Sequence, residues 1–275
     1  MRKIKLSIFF LYLGTSVLSQ NVYDAEHLLQ FANHLYKNKE YEIAINEYKH
    51  ALFLGNCNPS CQVKLFNSCL LTRQYNAGIN TYKSIYPEGL AGQDTLEILY
   101  GKMLILSENY SEVSRLIHSS YALSEDQRFF LSITCDLFAE NWSDAIQQDR
   151  ELSENLQYDY YKPVIGKIEE TKYKKPFVSL LLSTVVPGSG KMYAGYWYDG
   201  LISLSIVGIT AWQAYRGFTI YGTDRPYSWI FAMLSVSFYI SDLYGSFKAA
   251  NMKNYNIRQN IHNEIEEVFN SVYNY

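Results

Sequence analysis

The chain carries no excess of either charge. Its 275 residues hold 24 Lys and Arg against 27 Asp and Glu, a net charge of -3 with His neutral. A nucleic-acid binder gathers a strongly basic face, and neither this balance nor a pI near 6.0 supplies one. Nucleic acid is therefore not an expected partner. The histidines His27, His34, His50, His118 and His262 show no metal-ligand or triad spacing. On that ground no catalytic, cofactor-binding or metal-binding residue is assigned, no cofactor is expected, and the chain is not read as an enzyme.

Cysteine is scarce as well. Cys57, Cys61, Cys69 and Cys135 all lie in the first half, and a zinc site would need further ligands at workable spacing. Buried or idle thiols are the favoured reading. The alternative is a local bridge between Cys57 and Cys61 across the loop holding Pro59, which would persist in an oxidising compartment.

Met1 to Lys5 is basic, and an apolar run follows from Leu6 to Leu18. Small residues before Gln20 suggest cleavage after Ser19, so residues 1–19 read as a signal peptide. An uncleaved anchor is the alternative. Either way the basic end stays in the cytoplasm and the next segment is exported. No Cys follows the cut, so a lipoprotein is not expected.

The second half is lipid-compatible. After a short apolar run from Phe177 to Val186 come two longer ones, Leu201 to Tyr221 and Tyr227 to Phe247. Each is roughly 20 residues, enough for a helix to cross the hydrocarbon core. Backbone groups in lipid must be satisfied within the segment, so the pair predicts a transmembrane helical hairpin. The short run is too short to span and reads as a half-helix or interfacial segment. Two crossings leave the tail on the side of the first half; a third would move it to the cytoplasm. Lys172, Lys174, Lys175, Lys248 and Lys253 fit two crossings poorly under the positive-inside tendency. The first three are also placed to meet anionic lipid headgroups. Gln213, Arg216 and Asp242 lie towards run ends, where side chains reach the interface cheaply, and a structural reading is preferred for them.

Residues 20–157 repeat at an interval of about 34. Tyr41, Ala44, Ile45, Tyr48 and Ala51 answer to Tyr75, Gly78, Ile79, Tyr82 and Ile85, then more loosely to Tyr110, Val113 and Ile117, and to Trp142, Ala145 and Ile146. This pattern resembles the tetratricopeptide repeat, although Asn56 stands where that family usually has Pro. The resemblance implies a helical solenoid whose concave face binds peptides or proteins. The implied partner-binding face includes Asn33, His34 and Lys37 on the first helix. An irregular helical bundle is the alternative.

Pro187-Gly188-x-Gly190-x-x-Tyr193-x-Gly195 is the most specific local motif. It resembles the entry to TM2-type domains, two-helix membrane modules; Asp224-Arg225 between the runs keeps part of that family's inter-helix signature. The motif is read as structural: Pro ends a helix and Gly allows a tight reversal. Gly190-Lys191 is not a phosphate loop, because Met192 follows and the first Gly is missing. Lys191 is expected to be an interfacial side chain of little consequence.

The predicted organisation is all-α: a signal peptide (1–19), repeats (20–157), a juxtamembrane linker (158–175), a TM2-like module (176–250) and an amphipathic tail helix (251–275). Ile257, Ile261, Ile265, Val268, Phe269 and Val272 share one face of that tail. The expected function is a membrane-anchored protein-binding scaffold of the cell envelope, with repeats in the periplasm and the anchor in a bacterial inner membrane. The expected partners are a protein or peptide on the repeats, membrane lipid, and a second copy through the hairpin or tail. The alternative is an embedded component of an export, insertion or transport assembly.

Overall fold

The computed structural model describes residues 25–152 and 160–273, so the expected signal peptide lies outside the described residues. Thirteen helices and no strand occur among the described residues, which bears out the all-α class. The chain divides into two units, one formed by residues 1–160 with 269–275 and the other by residues 161–268.

The first unit is built from helix pairs: α1 (Ala25–Lys37) with α2 (Tyr41–Phe53), α3 (Pro59–Leu71) with α4 (Tyr75–Ile85), α5 (Asp94–Leu106) with α6 (Tyr110–Ser119), and α7 (Glu125–Phe138) with α8 (Trp142–Leu152). Each pair is joined by the same turn. Lys39, Arg73, Glu108 and Glu140 all take a positive φ, two residues before Tyr41, Tyr75, Tyr110 and Trp142. In each turn the following residue's N–H reaches back five residues, as in Gln74 to Cys69 and Asn109 to Leu104, satisfying carbonyls that the helix end leaves open. The repetition is thus in the backbone as well as in the sequence.

Small residues let the pairs approach closely. Ala44 and Ala145 are fully buried, and a Cβ on Gly78 would lie 2.3 Å from Met103 Sδ. Buried rings fill the rest: Tyr82 and Tyr100 stack at 4.0 Å between centroids. Burial raises the pKa of both phenols, that of Tyr100 to about 12. Cys57 and Cys61 are bridged, against the favoured reading of idle thiols. Asn58 between them caps α3, accepting from Cys61 N at 2.9 Å, and this brings the two Cα atoms to 5.2 Å.

The second unit starts with α9 (Lys162–Glu170) and α10 (Pro176–Val185). A one-turn helix, α11 (Ser189–Tyr193), and two long helices follow, α12 (Trp197–Tyr221) and α13 (Pro226–Ser271). The last run and the tail are continuous: α13 is one helix of 46 residues, about 69 Å at 1.5 Å per residue. Its last turn belongs to the repeat unit, so the expected tail domain is divided between the two units. Of the tail's apolar stripe, Ile261, Ile265, Phe269 and Val272 are buried.

Between residues 176 and 247 of the second unit, burial is inverted relative to a water-soluble core. Ser179, Ser183, Ser228, Asp242 and Ser246 are buried, whereas Ile209, Trp212, Met233 and Ile240 are among many large apolar side chains left outside. Among the described residues α13 is the one helix long and apolar enough to cross a membrane. Only 11% of its most apolar 18-residue stretch is buried, unlike the core helix of a soluble protein. The 25-residue α12 is long enough, but Asp199, Gln213 and Arg216 interrupt it, and no 18-residue stretch of it is as apolar as that of α13.

Candidate functional site

The glycine turn sits over a polar core. Pro187 ends α10, and Gly188 follows with φ +82°. The turn has no room for a side chain: a Cβ on Gly188 would lie 2.0 Å from the Gly200 carbonyl oxygen, and one on Gly190 would lie 2.0 Å from that of Ser179. Backbone against backbone cannot give way as a flexible side chain does. Gly195 also has a positive φ, +94°, but open space around its Cβ direction. Close backbone approach thus distinguishes Gly188 and Gly190 from Gly195. Tyr193 closes the turn differently: its hydroxyl accepts from Lys175 N at 3.3 Å, and Lys174 Nζ stands 4.8 Å over its ring.

Lys191 departs from expectation. Its Nζ lies 3.0 Å from Asp242 Oδ1 and donates to Ser203 Oγ at 2.6 Å. Asp242 is 2% exposed, and its Oδ2 accepts from Gly188 N at 2.6 Å. Neither group reaches out to an interface; they neutralise each other inside the unit. Gly245, one helical turn from Asp242, leaves the room in which the Lys191 chain lies, for a Cβ there would come within 2.9 Å of Lys191 Cε. Sequence alone misses the pair because 51 residues separate its members, and each looked explicable alone near the end of a run.

Serines complete the arrangement. Ser179 Oγ bonds the carbonyls of Gly190 and Ser246 at 2.8 and 2.7 Å. Ser183 Oγ meets Ser246 Oγ at 2.7 Å and accepts from Gly190 N at 3.0 Å. Four elements, α10, α11, α12 and α13, are thereby fastened at one level. The serine hydroxyls and Asp242 Oδ2 are hydrogen-bonded, whereas Asp242 Oδ1 accepts no hydrogen bond and has only the charge of Lys191 beside it. Chemically the cluster is suited to fixing helix register.

On the repeats, the proposed partner face is only partly available. Asn33 accepts from Tyr48 OH at 3.1 Å and Lys64 Nζ at 2.5 Å, so it ties three helices together. His34 and Lys37 are exposed, and His34 shares a bond with Asn38 at 3.0 Å. Surface hollows formed by the described residues of this unit include two of note. One, of about 410 Å³, is lined by Cys135, Asp136, Asp144 and Glu151; the other, of about 220 Å³, by Lys83, Tyr100, Glu112 and Arg115. Among the described residues no group of three or more His, Cys, Asp or Glu is placed to hold a metal.

No family model, curated protein or solved structure matches the chain. The function must be argued from these two units alone.

Proposed function

We propose that the chain is a membrane-anchored protein-binding scaffold: a tetratricopeptide-type solenoid carried by a TM2-type helical hairpin. The observation that carries this reading is the inverted burial of residues 176–247, set beside a first unit of four helix pairs, each joined by the same turn. Large apolar side chains turned outward need lipid, and small or hydrogen-bonded residues turned inward are how membrane helices pack. Stacked helix pairs offer extended surface to a partner.

Two crossings suit this scaffold, by α12 and by the first half of α13. The grouping of the last turn of α13 with the repeats supports an even number of crossings between residues 160 and 269. The Cys57–Cys61 bridge supports an exported repeat unit, in the periplasm of a bacterial envelope. The lysines flanking the spans favour the opposite orientation, with the repeats inside. A single experiment tests anchor and orientation: a membrane-impermeant maleimide applied to intact cells, with single cysteines at Lys37 and Asp224 in a chain lacking its native cysteines. Labelling at Lys37 but not at Asp224 is expected. Equal recovery of the chain in a carbonate-washed supernatant would remove the membrane reading.

The buried Lys191–Asp242 pair favours a second reading, an embedded component of an export, insertion or transport assembly. Photo-cross-linkers placed in each unit separate the two. Partners trapped on the repeats support the scaffold; partners trapped only along α12 and α13 support the assembly component.

A further inference from the structure

Residues 269–273 are grouped with the repeats, and they enter that unit as a ligand would. Phe269, 1% exposed, lies 6.2 Å from the Phe130 ring at an interplanar angle of 17° and 5.4 Å edge-on from that of Phe138. Tyr273 adds an edge contact to Phe130 at 5.3 Å. Lys102 on α5 donates from Nζ to the Val272 carbonyl at 2.9 Å and stands 4.7 Å above the Phe269 ring. Val272 is the first residue past α13, so this carbonyl is one that a helix end leaves without an internal partner. Its surroundings are also the negative end of the helix dipole, where a cation is favoured.

Lys102 is 3% exposed, and burial alone, with no neighbouring carboxylate among the described residues, sets its environment. A buried lysine without an acid is costly, and an apolar residue would pack there more cheaply. Its position is also regular. Asn33, Asn67, Lys102 and Thr134 follow one another at the intervals that separate Tyr41, Tyr75, Tyr110 and Trp142, so all four occupy one row along the first helices. Asn33 and Asn67 bond within the first two pairs, to Tyr48 and Lys64 and to Tyr36. Lys102 instead reaches a separate helix.

We propose that the face of α5 and α7 is a docking site for the carboxyl end of a helix. It takes an aromatic ring against Phe130 and Phe138 and the backbone carbonyl three residues later on Lys102. The chain's own Phe269–Tyr273 fills it in cis, and a partner helix with the same aromatic-to-carbonyl spacing takes its place. The partner half of this proposal rests on the scaffold reading; the contact of Lys102 with Val272 does not.

The test uses the full chain in detergent and a fluorescent synthetic peptide of residues 258–275. Wild type is expected to bind the peptide weakly, since its own tail competes. Phe269→Asp in the chain should release the tail and tighten peptide binding about tenfold. Adding Lys102→Met should reverse that gain by about tenfold, near the worth of one buried charge-assisted bond. A Phe269→Asp chain that keeps its helical circular dichroism but binds the peptide no better than wild type overturns the proposal. So does a Lys102→Met addition that leaves the affinity unchanged. Should Phe269→Asp unfold the repeats, wild type supplies the answer: excess peptide should speed tryptic cleavage after Arg258, and no change overturns the proposal. Peptide response with no cellular protein trapped on the repeats removes the scaffold and keeps the docking site. A cellular partner trapped on α1 to α4 with no peptide response does the reverse.

Discussion

Lys191 Nζ and Asp242 Oδ1 stand 3.0 Å apart in a unit whose outer surface is apolar, and the backbone N–H of Gly188 holds the other carboxylate oxygen. The ion pair and the glycine turn are therefore one feature. Removing one charge leaves the other buried and alone, whereas removing both leaves only space and lost packing.

Lys191→Ala is consequently expected to be damaging. Breaking a buried pair on one side costs about 3–5 kcal/mol, so Lys191→Ala and Asp242→Ala should each reduce the amount of chain in the membrane severely. Lys191→Met with Asp242→Leu should recover much of it. Quantitative immunoblotting of washed membranes reads the series; equal recovery of the singles and the wild type would make the pair incidental.

The glycines should grade by geometry. Gly188→Ala and Gly190→Ala each drive a methyl into backbone and should prevent assembly of the second unit. Gly195→Ala meets nothing and carries only the positive-φ strain of about 1–2 kcal/mol. Gly208→Ala has open space and no such strain, so it should be silent. Protease resistance in detergent orders the four variants.

The repeated turns offer stabilisation. Lys39, Arg73, Glu108 and Glu140 are exposed and hold a left-handed conformation that glycine adopts without strain. Each change to Gly should raise stability by about 0.5–1 kcal/mol after glycine's extra unfolded-state entropy. The four should add, being in separate turns. Urea midpoints of the repeat transition check this. A fall at all four sites would mean their side chains do work that the exposed positions do not reveal.

Lys102 gives the repeats a pH dependence. Burial lowers its pKa from 10.5 to about 8. Between those values the folded chain binds fewer protons than the unfolded chain, so stability from this group rises with pH across that window. Below about pH 8 the burial penalty stands in full, on the order of 3 kcal/mol. Lys102→Met should flatten the slope between pH 8 and 10.5. Thermal melts at half-unit intervals measure it, and an unchanged slope would assign the dependence to another group.

A fragment of residues 20–157 looks self-sufficient in the sequence, because stacked repeats cover one another. The structure adds Phe269 and Val272 to the same core, more than 100 residues away. The fragment is expected to melt lower than the repeats of the full chain, and the 258–275 peptide should restore part of the difference. A melting curve with and without peptide decides it.

Local pattern determined much about this protein. The four aromatic helix starts, the small residues Ala44, Gly78 and Ala145, the apolar runs and the tail stripe were all legible, because helical spacing and burial are written within a few turns. The tight glycine turn was legible for a similar reason: a Pro followed by spaced glycines states a local backbone need. Tertiary structure alone decided what is paired across distance. It joined Lys191 to Asp242, Ser183 to Ser246, and Lys102 to Val272, and it turned a spanning run and a separate tail into one helix. A charged side chain states its need for a partner but not where the partner lies. Only packing, which brings residues 51 or 170 positions apart into contact, supplies that answer.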